Sequence, residues 1–159
     1  MRVALVALLL TIPHSVTAQE PVVKWADYAS WLTAAVNPVW GTIEAARGER
    51  PGCHLGQLAI SAGLGLGTAF TLQHVITSPR PCCSGNGMPS AHATTSMIGL
   101  AQPSPARGFS VRLTIGLGSA TATGILRPVA NRHTPSQAVW GILLGAGAEA
   151  AGQLLRCET

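Results

Sequence analysis

From Leu55 to Ile76 the chain carries no acid, lysine or arginine, and the same holds from Leu113 to Leu126. A third stretch, Gln137 to Leu155, is mostly small and apolar with one acid, Glu149. At about 1.5 Å per residue the first is long enough to cross a bilayer core of about 30 Å. The other reading is a buried core helix of a soluble protein, which Gln57, Gln73 and His74 keep open. Glycines recur inside all three stretches: Gly63, Gly65 and Gly67, then Gly116 and Gly118, then Gly141, Gly145 and Gly147. Each interior glycine costs a helix in water roughly 1 kcal/mol relative to alanine. Retaining so many points to close helix contacts of the kind small residues make in lipid. No segment alternates with period two over a useful length, so strands are not expected. The expected fold is all-α, a compact helical bundle embedded in a membrane, with its functional residues at one end.

A chain of 159 residues has room for one domain, and 47% hydrophobic against 10% charged residues fits that bundle. The net charge of +4 suggests an acidic partner, but Lys24 is the only lysine and no basic run or aromatic-basic stripe is present. Nucleic acid is therefore not an expected partner. Arg2, the apolar run Val3 to Ile12 and the small-residue end Val16-Thr17-Ala18 have the form of a secretory signal, or of an uncleaved anchor. This sets residues 1–18 apart as leader and 19–159 as the domain. Cys53, Cys82, Cys83 and Cys157 invite disulfides in an exported chain, with the pairing open, and none has zinc-site spacing.

Gln19 to Ala46, with Trp25, Tyr28, Trp31 and Trp40, suits an amphipathic or interfacial helix interrupted near Pro38. Arg47 to Gly52 is a turn. Ser90 to Ala101 reads as a short helix ended by Pro103 and Pro105, before a basic link from Arg107 to Arg112. If the helices alternate in direction, Arg47, Arg50, Arg107, Arg112 and Arg156 share one end. The positive-inside rule makes that end cytoplasmic. Arg80, His92, Arg127 and His133 then share the outward end.

Those four residues carry the chemistry. Arg80 sits between two prolines, and Pro89-Ser90-Ala91-His92 opens a helix, where unpaired backbone N–H groups and the positive dipole end favour an oxyanion. Ser90 adds a hydroxyl and Arg80 a planar, permanently charged fork. His92 is placed to exchange a proton with the bound group. Further on, Arg127 precedes His133, and Thr134-Pro135-Ser136-Gln137 leads into the last apolar helix, with Gln137 about one turn beyond the histidine. Singly, each histidine is more often structural than catalytic. Two arginines, an anion nest, one histidine to attack and one to protonate together describe a phosphate-ester site.

In this order the residues resemble the type 2 phosphatidic acid phosphatase superfamily, which shares its core with vanadium-dependent haloperoxidases. That family's pattern is Lys-x6-Arg-Pro, then Pro-Ser-Gly-His, then Arg-x5-His-x3-Asp. Here it is matched by Gln73 with Arg80-Pro81, by Pro89-Ser90-Ala91-His92, and by Arg127, His133 and Gln137. The resemblance spans roughly Leu55 to Gly147. It implies that His133 attacks phosphorus to form a phosphohistidine and that His92 protonates the departing alkoxide. It also implies that Arg80, Arg127, Ser90 and the Ala91 N–H cradle the phosphoryl oxygens, with Gln73 in the family's lysine position. Gln137 stands where the family has the aspartate that orients the nucleophile.

The implied activity is metal-independent hydrolysis, without cofactor, of a phosphomonoester or diphosphate on a lipid. The implied place is a bacterial inner membrane with the site facing the periplasm, or alternatively the periplasm itself. Because Gln73 and Gln137 replace a lysine and an aspartate, the alternative is a weakened relative that binds phosphorylated lipid without turnover. A haloperoxidase holding vanadate on His133 would use the same residues, but this chain is short for one.

Overall fold

The computed structural model describes residues 20–102 and 109–157. The leader at 1–18, and Pro103, Pro105 and Arg107, lie outside the described residues. Within them the chain forms five helices: α1 (Glu20–Arg47), α2 (Pro51–Val75), α3 (Ala91–Thr95), α4 (Phe109–Val129) and α5 (Pro135–Gly152). Among the described residues the only β pairing is one isolated bridge, Pro79 with Asn86. The helices pack as a bundle, with α1 against α4 and α2, α2 against α5, and α3 held chiefly by α5.

Local sequence explains most of the boundaries. Pro51 starts α2 in the first turn, where its missing N–H costs nothing. Thr134 caps α5 through a reciprocal box with Gln137, and Pro135 follows it. The expected interruption near Pro38 does not occur: α1 runs unbroken through it. A proline costs a helix interior one hydrogen bond, and tertiary bonds beside it offset the loss. The Asn37 amide donates to the Ser96 carbonyl and to the Gly116 carbonyl, the latter at 3.0 Å. After Thr95 the expected helix to Ala101 becomes a series of turns, with Gly99 at a φ of 82°. A side chain on Gly99 would also meet the Asn37 carbonyl at 2.7 Å, so glycine is needed there for space as well as conformation.

A small apolar core of Met97, Leu100 and Ala120 is accompanied by many buried polar side chains, and many large apolar side chains are exposed. The largest fully buried side chains among the described residues are Arg112, Gln102, Gln137 and Asn37. Trp25 is 75% exposed, and Tyr28, Leu32, Phe70, Trp140 and Leu143 also face outward. Only α2 is long and apolar enough, among the described helices, to meet the length and composition of a membrane span.

The glycines divide into two groups. Gly141 and Gly145 bring the α5 backbone against the Ser90 and Thr94 carbonyls, and Gly152 does the same at Ser61. Gly63, Gly67, Gly118 and Gly147 have nothing within 4 Å of an added Cβ, so the close-contact expectation holds for only part of the set.

The candidate site lies at one end, where α1 and α5 begin and α2 and α4 finish. At the other end a disulfide joins Cys53 to Cys157, and the Gln57 amide donates to the Leu155 carbonyl at 2.7 Å. Arg112 differs from the expectation of an end charge. It is fully buried, donates to the Asn37 and Gly99 carbonyls, and lies 4.6 Å from the Trp40 ring centre. Nearby, the Glu149 carboxylate accepts from the Gly99 and Ala101 N–H groups, each at 2.9 Å. These charges hold the turns after α3.

Candidate functional site

The site end brings together the first turns of α1, the loop from Ser78 to Ser90 with α3 behind it, the end of α4, and the turn from Ala130 to Thr134. The loop folds back on itself. Gly87 N–H donates to the Ser78 carbonyl at 2.7 Å, Arg80 N–H to the Gly85 carbonyl at 3.2 Å, and Arg80 Nε–H to the Asn86 carbonyl at 3.1 Å. Cys82 and Cys83 are joined to each other in the turn between.

His133 is buried beneath this loop. Its Nδ1–H donates to the Gly87 carbonyl at 3.0 Å, which leaves the Nε2 lone pair as the reactive one. Burial, then the fields of Arg127 and Arg80, lower its pKa to about 3, against smaller opposing effects of the Gly87 carbonyl and the Gln137 side chain. At neutral pH the imidazole is uncharged and nucleophilic. His92 is lowered to about 4, by burial first and then by Arg127 and Arg80, while Asp27 acts in the opposite direction. Its Nε2 is buried without a hydrogen-bond partner, and its ring meets Trp31 edge to face at 4.0 Å between centres.

Arg127 is 5% exposed. Its Nη1 donates to Asp27 Oδ1 at 2.9 Å and to Ser30 Oγ at 3.2 Å, while its Nε–H is buried with no partner. Nε and Nη2 form the edge of a guanidinium that grips an oxyanion in two places. One edge of Arg127 is thus pinned to α1, and the Nε of the other is buried and unsatisfied. Asp27 Oδ2 accepts from Arg132 Nη2 at 2.8 Å, so one carboxylate holds two arginines.

The remaining expected residues have more specific roles than the sequence suggests. Ser90 is fully buried and caps α3, but its N–H donates to the Gln137 carbonyl at 2.9 Å. The anion nest expected from Pro89, Ser90 and Ala91 is therefore reduced to Ala91, because Pro89 has no N–H and that of Ser90 is taken. Gln73 does not extend the arginine set: its Nε2 donates to the Pro89 carbonyl at 2.7 Å and secures the loop. Gln137 is buried, with Oε1 accepting from Thr134 N–H at 3.0 Å. Its Nε2 donates to Ser78 Oγ at 2.9 Å and to the Pro79 carbonyl at 3.1 Å. His133 Nδ1 is held by the Gly87 carbonyl, and Gln137, the residue that sequence reading sets beside this histidine, makes the smaller hydrogen-bonding contribution to it.

Gly87, Asp27 and Trp31 are the residues that sequence reading misses. Asp27 is the only aspartate in the chain, which is a usable signal in retrospect. Gly87 gives no such signal, because its role belongs to a backbone carbonyl. Compared with family models, with curated proteins and with solved structures, the chain shows no match.

Proposed function

We propose that the chain is a phosphatase that hydrolyses a phosphomonoester or diphosphate, on a lipid, through a phosphohistidine. The observation that carries this reading is Arg127, fixed through one edge to Asp27 with a buried, unpartnered Nε, and two imidazoles that both feel its field. Such a group is ready to take an oxyanion, and a neutral imidazole held by its Nδ1 is ready to attack one.

In the first step the Nε2 lone pair of His133 forms a bond to phosphorus while the bond from phosphorus to the alkoxide oxygen breaks. His92, carrying a proton on Nε2, transfers it to that oxygen, and the alcohol departs. In the second step His92, now neutral, accepts a proton from water as the water oxygen attacks phosphorus. The bond from phosphorus to His133 Nε2 breaks, and phosphate leaves. Arg127 and Arg80 supply the positive charge against which the phosphoryl oxygens develop theirs.

The lipid part of the reading rests on the large apolar side chains that the bundle leaves exposed. Exposed Trp25, Tyr28 and Trp31 lie along the half of α1 that carries Asp27, as interfacial aromatics do. An alkoxide leaving beside His92 departs next to Trp31, an apolar wall suited to a hydrocarbon tail. For location, we read the protein as exported and associated with a membrane. The arginine count favours a cytoplasmic far end, but the Cys53–Cys157 disulfide lies at that same end. Disulfides form in oxidising compartments, and this outweighs a statistical charge bias.

The test is phosphate release by detergent-solubilised protein from phosphatidic acid, prenyl diphosphate and an aryl phosphate. Native protein is expected to release phosphate and His133→Ala to lose at least a thousandfold. Native protein that binds vanadate and releases nothing would replace this reading with that of a non-catalytic binder.

A further inference from the structure

Residue 137 is bonded to both ends of the loop, at Ser78 and Pro79 and at Ser90, and to the cap of α5. Its Oε1 accepts from the Thr134 N–H and its Nε2 donates to Ser78 and Pro79, while its backbone carbonyl takes the Ser90 N–H. A Cβ added to Gly87 would lie 2.6 Å from Gln137 Oε1 and 2.8 Å from Arg80 Cγ. The Gly87 backbone is thus in direct contact with the amide.

We infer that Gln137 is a positioning residue that latches the 78–87 loop onto α5, and that the Gly87 carbonyl so placed orients His133. The inference rests on the phosphatase reading for its kinetic arm only. Its physical basis is the donor inventory of the side chain. An amide offers one acceptor and two donors, and at this position both kinds are used. The acceptor completes the α5 cap, and the donors serve three acceptors on Ser78 and Pro79. A carboxylate keeps the cap and can take a proton from the Ser78 hydroxyl, but it has none for the Ser78 and Pro79 carbonyls. It also sets a negative charge against those two carbonyl oxygens, in a buried place where an unmade hydrogen bond is costly. The loop would lift. Gly87 would move off His133 Nδ1, and Arg80 would move with it, because the loop bonds Arg80 to Gly85 and Asn86.

This reverses what the resemblance implies. If Gln137 were an orienting acid that had lost its charge, an acid restored there would improve catalysis. If it is a latch, an acid there damages catalysis.

The experiment compares native protein with Gln137→Glu, which matches it in shape, and with Gln137→Asp, all at pH 7 in detergent. Three readouts are taken: phosphate release, amide hydrogen exchange at Arg80 and Gly87, and the ¹⁵N resonances of the His133 ring. Both variants are expected to lose at least tenfold in kcat, with a raised KM as Arg80 is displaced. Exchange at Arg80 and Gly87 accelerates at least tenfold, while α2 amides keep their protection and show that the bundle is intact. The hydrogen-bonded Nδ1–H signature of His133 is expected to disappear.

A rise in kcat with either acid overturns the inference. So does an Nδ1–H resonance that persists in Gln137→Glu with exchange at Gly87 unchanged. If native protein releases no phosphate, the phosphatase reading fails alone, and the exchange and ¹⁵N readouts still decide the role of Gln137.

Discussion

Two imidazoles that hold protons weakly set the pH range of the proposed reaction. His133 must be neutral to attack, which holds above about 3, and His92 must be protonated to donate, which holds below about 4. The value of kcat/KM is therefore expected to rise about tenfold per pH unit as pH falls from 7 toward 4, and to fall again below about 3. Asp27 raises the His92 value while Arg127 and Arg80 lower it. Asp27→Asn is thus expected to move the upper limb to lower pH, and an unmoved limb in a pH-rate profile would confine Asp27 to structure. Stability runs the other way. Both groups bind protons less readily when folded, so the unfolded chain takes up the protons as pH falls below its ordinary 6.5, and stability declines. Initial rates at low pH should accordingly be measured over short times. Arg80, Ser90, His92, Arg127 and His133 stood out in the sequence because each proposed role needs that side chain. The partner of His133 did not, since a backbone carbonyl leaves no mark in sequence.

At the scale of elements, the position of His92 depends on how closely α3 lies on α5. The helix has five residues and cannot hold itself. Gly141 and Gly145, one turn apart, let the α5 backbone press on Ser90 and Thr94. A methyl at Gly141 would meet the Ser90 carbonyl and would lie 2.8 Å from Ala93 Cβ. Overpacking of this kind costs about 1–3 kcal/mol. Gly141→Ala is expected to lower the thermal midpoint and to reduce phosphate release at least tenfold, because Ser90 and His92 move together. Gly147→Ala, with nothing within 4 Å of its added methyl, is expected to change neither and serves as the matched control. The existence of the helices followed from apolar length and small residues. Two boundaries did not: α1 continues through Pro38 because Asn37 finds acceptors on the Ser96–Gly116 side of the bundle. Helix after Thr95 gives way to turns because Arg112 and Glu149 claim the backbone of Gly99 to Ala101.

For the whole molecule, the two ends have separate duties. The far end is closed by Cys53–Cys157 across a sequence separation of 104. In the chain-entropy account a loop of that order contributes about 4.7 kcal/mol by restricting the unfolded chain. Replacing both cysteines by serine is expected to lower the thermal midpoint in detergent by several degrees. Phosphate release at low temperature should stay near native, since none of the site residues touches that end. Protein isolated without reductant is expected to leave Cys53 and Cys157 unreactive toward maleimide. Reactive thiols there would return the far end to the cytoplasm and restore the orientation that the arginine count favours.

The sequence alone determined that this chain builds helices and which side chains the proposed phosphate chemistry can draw on. Charge-free apolar length and the side-chain inventory are local properties of the polymer. Tertiary structure decided which hydrogen bonds those groups have left to give. It assigned the Ser90 N–H to α5, one edge of Arg127 to Asp27, Gln73 to the Pro89 carbonyl and the Gly87 carbonyl to His133. Each of these pairings joins segments far apart in sequence or involves backbone atoms common to all residues, so no spacing of residue types encodes it.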